Sequence, residues 1–303
     1  MIKGMDLSSL LEVEQCGGRF YDNGEEKDVM EIFQSYGMDY VRLRLWNDPY
    51  AEDGSPYGAG GNDFKTLLKL AKRSLAHGFG FLLDFHYSDF WADPGKQTIP
   101  KAWRGLDVDG LEQAVYEYTK DVMEDLHKKG AAPTMVAVGN ELSNGLLWPY
   151  GKVPNYENIA KLVSAGIRAV RAVDEKVPVM LHLDNGGNNE LYSRWFDRYF
   201  ANGGEDFDYI GMSYYPFWHG SLAALEANMR DLAGRYEKDI IVAEVSMGFT
   251  MEDYQKYEQL GDEERKGYAT KPELVQGLDY PMTKEGQADF MQDFMTCIKD
   301  VPQ

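Results

Sequence analysis

Two short apolar runs in this chain end in a glutamate. Met135-Val136-Ala137-Val138 passes through Gly139-Asn140 to Glu141, and Ile240-Ile241-Val242-Ala243 leads straight into Glu244. Continuous hydrophobics are what a buried parallel strand requires, so the polar residue marks where the backbone leaves the core. Two strand-terminal carboxyls are the residue types that cleavage of a glycosidic bond demands: one donates a proton, the other attacks the sugar or activates water.

Other apolar runs end in polar groups as well. Arg42, Arg44 and Trp46 precede Asn47-Asp48-Pro49; Asp84 and His86 precede Tyr87-Ser88-Asp89; His182, Asp184 and Asn185 close a further run, and Ser213, Tyr214 and Tyr215 another. Residues two apart on a strand share a face, which pairs Arg42 with Arg44, Asp84 with His86, His182 with Asp184 and Ser213 with Tyr215. An arginine and a tyrosine beside Glu244 would hold it ionised, while a less solvated Glu141 would keep its proton. A plainer reading pairs Arg42 and Arg44 with Asp84 or Asp184 in a structural network, and for Arg42 that is the preferred one. His86 and His182 read equally as satisfied core histidines. Asp84, His86, His182 and Asp184 could also ligate a metal, but no HxH pair or HExxH helix accompanies them, and hydrogen bonding to sugar hydroxyls ranks above metal binding. Trp46, Trp91, Trp148 and Trp218 all follow strand ends, where indoles can stack on the apolar faces of pyranose rings; Trp103 and Trp195 read as packing residues.

The elements that must position these groups alternate regularly. Strands are expected near residues 2–5, 40–45, 80–85, 135–138, 178–183, 209–213 and 240–243. Helices are expected over 28–36, 64–77, 111–129, 156–173, 190–199, 222–236 and 284–299. Seven strands leave two open edges, so an eighth is expected to close a barrel. None follows Val301-Pro302-Gln303, and the expectation is an α/β fold, a (β/α)8 TIM barrel lacking its C-terminal eighth strand in this chain. Residues 1–303 read as one catalytic barrel domain, C-terminally truncated. The polar stretch Met247–Pro281 is long enough to form one wall of a groove on the top face.

Composition narrows the partners. A net charge of −19 repels phosphate backbones and anionic membranes, which leaves a neutral substrate as the better match. Cys16 and Cys297 have no CxxC spacing, and no stretch reaches the apolar length of a bilayer span. The first expected strand begins so near Met1 that there is no room for a signal peptide; the protein is intracellular, or its leader was already removed.

With these residues assembled, the sequence resembles glycoside hydrolase family 53, the endo-β-1,4-galactanases acting on type I arabinogalactan. The likeness is carried by Gly4-Met5-Asp6-Leu7-Ser8-Ser9-Leu10, by Tyr40 to Pro49 (YVRLRLWNDP), by Leu83 to Gln97 (LDFHYSDFWADPGKQ), by Val138-Gly139-Asn140-Glu141, by Leu147-Trp148-Pro149 and by Gly286-Gln287-Ala288-Asp289-Phe290. The resemblance implies a (β/α)8 barrel of the A clan of glycosidases and retention of anomeric configuration. By it Glu141 is the acid/base and Glu244 the nucleophile, Asn140 bonds the sugar 2-hydroxyl, and Arg44 and Tyr215 position the nucleophile. His86, His182, Asp184 and Trp91 would line the sugar subsites. It implies no cofactor, a β-1,4-galactan substrate, a monomer, and a secreted or cell-surface location, although a cytoplasmic one stays open.

Two departures from the family pattern stand out. A tryptophan carried by the family's eighth strand has no counterpart before residue 303, and Met247–Pro281 lacks the dense Asp/Asn cluster of the calcium loop found in some bacterial members, so no calcium is expected. The rival readings are another A-clan β-glycanase, such as a mannanase or cellulase, and a barrel that binds galactan without cutting it.

Overall fold

The computed structural model describes residues 1–252, 270–299 and 301. Two compact units share the chain: Met1–His182 with Trp195–Tyr209, and Leu183–Arg194 with Ile210–Gln303.

The first unit is built on parallel strands β1 (Gly4–Asp6), β2 (Tyr40–Leu45), β3 (Gly80–Phe85), β4 (Met135–Val138) and β5 (Val179–Leu183, all but its last residue), paired in that order. Val41 to Leu45, Phe81 to Phe85 and all of β4 are buried, as strands covered on both faces must be. Register sets the polar ends level: Asp6 lies opposite Arg42, and Arg44 opposite Asp84. Helices return the chain between strands, and the long ones after β2, β3 and β4 start where a side chain satisfies the first free N–H groups. Asp63 accepts from Thr66 N at 2.7 Å to open Phe64–Ala76, Asp107 from Gly110 N at 2.9 Å to open Val108–Lys128, and Asn155 caps Tyr156–Val173. A cap of this kind contributes about 1 kcal/mol. The apolar faces of these helices, with Leu67, Leu70, Leu111, Val115, Ile159 and Val163, are buried.

The second unit contains β6 (Tyr209–Tyr214, from its second residue on) and β7 (Asp239–Val245), with helices Leu222–Tyr236, Pro272–Val275 and Lys284–Lys299. Ser221 caps the first of these helices through Ala224 N. Among the described residues, seven such strands and their intervening helices give the βα succession expected from the sequence.

Observed and expected elements differ at informative places. The first strand is Gly4–Asp6, two residues later than expected, because Ile2 is an exposed hydrophobic and not a core residue. Helix Leu10–Gln15, the 3-10 turns Lys101–Trp103 and Leu142–Asn144, and two small hairpins, Tyr21–Asp22 with Glu25–Glu26 and Gly145–Leu146 with Gly151–Lys152, are too short to show a period. Of the long loop expected over Met247–Pro281, residues 253–269 lie outside the described residues, and the calcium expectation falls largely there.

Candidate active site

At the C-terminal end of the first unit's strands, one arginine ties three carboxylate and amide groups together. Arg42 donates from Nη1 to Asp6 Oδ2 at 2.8 Å, and from Nη2 to Asp84 Oδ2 at 2.6 Å and Asn140 Oδ1 at 2.8 Å. Asp84 is wholly buried. Burial alone would push its carboxyl up, but the Arg42 charge, followed by His86 and His182, outweighs it and holds the group at about 2. The structural reading of Arg42 is the one observed, and Asp6, unforeseen in the sequence, completes it.

His86 sits 1% exposed in this network. Its Nε2 faces Asp84 Oδ2 at 3.2 Å, and its Nδ1 accepts the Ala92 N–H at 3.1 Å, so Nε2 carries the proton. Both ring nitrogens of His86 are thus engaged within the protein, and Asp84 Oδ2 is paired to Arg42. The same enclosure turns the polar atoms of His86 toward Asp84 and the Ala92 backbone.

Asn140 is fixed in direction by its neighbours. Its Oδ1 accepts from Arg42 and from His182 Nδ1 at 3.0 Å, and its Nδ2 donates to Ala92 O at 2.8 Å. A carbonyl already accepting from a guanidinium obliges His182 to present Nδ1–H. Glu141 follows, half-buried, with φ 49° and ψ 58° in the left-handed region; Gly139 before it has φ 87°. The chain therefore turns sharply off β4 at the carboxylate.

Arg44 is buried, donates to Ser9 Oγ at 3.0 Å, and stands 4.1 Å over the Trp91 ring. Trp91 is half-buried, as is Trp148, which carries Lys152 Nζ at 4.2 Å over its ring; Trp218 is exposed. Trp46, expected as a fourth platform, is completely buried, its ring packed against Phe90 and Trp91 of the loop that follows β3. Trp103 and Trp195 are buried packing residues as expected.

In the second unit, Tyr215 donates its hydroxyl to Glu244 Oε2 at 2.5 Å, at the ends of β6 and β7. His219, unforeseen in the sequence, lies edge-on to the Tyr215 ring with centroids 5.5 Å apart, and its Nδ1 is 3.1 Å from the Tyr215 N–H. Burial pushes the His219 ring down from its ordinary value, opposed by the Ser213 carbonyl and the Glu244 charge. Asp184, the first residue past β5, is half-buried.

The sequence pattern of glycosyl hydrolase family 53 matches residues 2–303. The chain belongs to that family. An endo-β-1,4-galactanase of Bacillus subtilis (strain 168) is 38% identical over 98% of the chain and 66% of its own length. A probable arabinogalactan endo-β-1,4-galactanase A of Neosartorya fischeri is 36% identical over 99% of the chain and 80% of its own length. The catalytic domain of a family 53 protein of Ignisphaera aggregans superposes with a TM-score of 0.90 at 37% identity, covering 99% of this chain and 82% of that one. Family 53 membership makes the chain a glycosidase with the (β/α) barrel of that family. Glu141 is a carboxyl on a sharply turned loop of the first unit, and Glu244 is a carboxylate held by a hydroxyl in the second. Gln97, whose side chain reaches the Asn140 carbonyl at 2.8 Å, was not singled out from sequence, since a loop amide has no titratable chemistry to draw notice.

Proposed function

We propose that the protein is an endo-acting, retaining β-1,4-galactanase that cuts the galactan of type I arabinogalactan, with Glu141 as acid/base and Glu244 as nucleophile. Residues 1–303 serve as one catalytic barrel. The observation that carries the reading is the Tyr215 hydroxyl on Glu244 in a chain of family 53, whose relatives bear galactanase names. A short O–H···O⁻ bond stabilises the charged carboxylate, the form a nucleophile needs.

In the first step the Glu244 carboxylate attacks the anomeric carbon. The bond from that carbon to the bridging oxygen breaks, and the Glu141 proton goes to the departing 4-hydroxyl. In the second step Glu141, now ionised, takes a proton from water; the water oxygen bonds to the same carbon and Glu244 leaves. Retention calls for carboxyls about 5 to 5.5 Å apart.

Asn140 serves the sugar 2-hydroxyl through its second Nδ2–H, since Arg42, His182 and Ala92 fix the rest of the amide. Arg44 and Tyr215 position Glu244. Trp91, His182 and Asp184 face the substrate, whereas His86 acts indirectly, through Asp84 and the Ala92 backbone. A polymer too large to enter a cell is met outside it, so the reading puts the protein's work at or beyond the cell surface.

The test is reducing-sugar release from potato galactan, mannan and carboxymethylcellulose. Turnover is expected on galactan alone, and Glu141→Gln or Glu244→Gln is expected to abolish it while the folded circular dichroism spectrum persists. Preference for mannan or carboxymethylcellulose would assign the site to another β-glycan, and binding of galactan without product would make the protein a lectin-like barrel.

A further inference from the structure

The turn from Trp91 to Gln97 carries much of the sequence likeness, yet nothing in the chemistry above explains its Asp-Pro-Gly-Lys-Gln segment. We propose that this turn braces the backbone of the general acid and that Gln97 is the positioning residue of Glu141. The inference rests on the reading of Glu141 as acid/base.

Glu141 holds a left-handed backbone, φ 49° and ψ 58°. For a residue with a side chain this conformation is costly, of order 1–3 kcal/mol, and persists only where the surroundings over-determine it. The surroundings here are the turn. Gln97 is 2% exposed, and its Nε2 lies 2.8 Å from Asn140 O and 3.4 Å from Glu141 O. Those are the carbonyls of the two peptide units that flank the Glu141 Cα, so one buried amide group grips the backbone on both sides of the carboxylate.

Three further bonds cross from the same turn to the same loop. Trp148 N donates to Gln97 O at 2.7 Å, Asn144 Nδ2 to Pro94 O at 2.8 Å, and Asn140 Nδ2 to Ala92 O at 2.8 Å. The turn is stiff in its own right. Asp93 N donates to Lys96 O at 2.8 Å, Lys96 N returns to Asp93 O at 3.0 Å, and Asp93 Oδ1 accepts from Gly95 N at 2.8 Å. Rotation of the Asn140–Glu141 peptide would swing the carboxyl off the line to a glycosidic oxygen. Among the described residues the Gln97 side chain donates to backbone carbonyls, Asp93 O at 3.4 Å being the third, so it acts through Glu141 and not on the substrate.

A misplaced general acid has a kinetic signature that a loosened fold lacks. Departure of 2,4-dinitrophenolate needs no proton, whereas departure of 4-methoxyphenolate does. The ratio of kcat/KM for the methoxyphenyl galactobioside to that for the dinitrophenyl galactobioside therefore reports on protonation, and any unfolded fraction cancels from it. Gln97→Met keeps the length of the side chain and removes its donor; Gln97→Glu sets a carboxylate against the same carbonyls.

Both variants are expected to lower the ratio by about 10- to 100-fold, the scale of a displacement near 1 Å. Glu141→Ala, as reference, is expected to lower it by about 100- to 10,000-fold. Should Glu141→Ala lower the ratio while the Gln97 variants leave it unchanged, the brace is refuted and the acid assignment stands. Should Glu141→Ala itself leave the ratio unchanged, the acid assignment fails, and the brace fails with it.

Discussion

Tyr215 shows how much a single hydroxyl contributes when it meets a charge. Its 2.5 Å bond to Glu244 Oε2 joins a donor to an ionised acceptor, the strong class of hydrogen bond, worth about 1.5–3 kcal/mol. Tyr215→Phe keeps the ring and its edge contacts with Trp218 and His219, and removes only that bond. We expect kcat/KM on galactan to fall by about 10- to 100-fold. The hydroxyl favours the charged carboxylate, so its loss also makes protonation easier, and the acidic limb of the pH profile should move upward by about one unit or more. A fall in rate with an unmoved acidic limb would show that Tyr215 acts on substrate and not on Glu244. Arg42 offers the contrast at this scale: a buried cation that donates to three acceptors, one of them the Asn140 amide whose direction it sets.

Short elements decide where the site's loops go, and one glycine tests this. Gly145 has φ 88°, and a Cβ there would lie 1.8 Å from Gly151 O, across the hairpin that presents Trp148. Gly145→Ala must therefore open the hairpin or strain it. We expect a loss of more than about 2 kcal/mol, read as a lowered urea midpoint at unchanged slope. An unchanged midpoint would mean that the hairpin yields without cost. Hairpins of two residues per strand have no periodicity, which is why this one was invisible in the sequence, while β2, β3 and β4, each a largely buried run rich in apolar residues, could be placed to the residue. Helices were equally legible wherever an apolar stripe met a capping Asp, Asn or Ser. The site was legible in residue type but not in depth. Trp46 and Trp91 both follow strand ends, yet one is buried and the other half-exposed, because loop position says nothing of which way a ring turns. Asp6 was missed because exposed Ile2 drew the first strand two residues early, and Gln97 because its work is done on backbone.

For the whole molecule, acid stability sets two electrostatic effects against each other. The chain carries a net charge of −19 at pH 7, and its self-repulsion relaxes as carboxylates protonate toward the pI near 4.7. Asp84 works the other way. Its folded value, about 2, lies below the ordinary 3.8, so the unfolded chain binds the proton first, and stability from this group is full above pH 3.8 and is lost as pH falls through about 2. The difference amounts to about 2 kcal/mol. His219, also depressed in the folded state, adds a loss that sets in as pH falls through 6.5. Asp84→Asn separates these contributions. At pH 5 it should be the less stable protein, because Arg42 then stays buried without its main counter-charge. Between about pH 5 and pH 2 the gap to the parent should narrow by about 2 kcal/mol, since only the parent has the Asp84 contribution to lose. Urea midpoints of the two proteins across that range measure the gap directly. A gap that stays constant would mean that Asp84 titrates alike in the folded and unfolded chains, and that its pairing with Arg42 holds the geometry of the strand ends without favouring the ionised carboxyl.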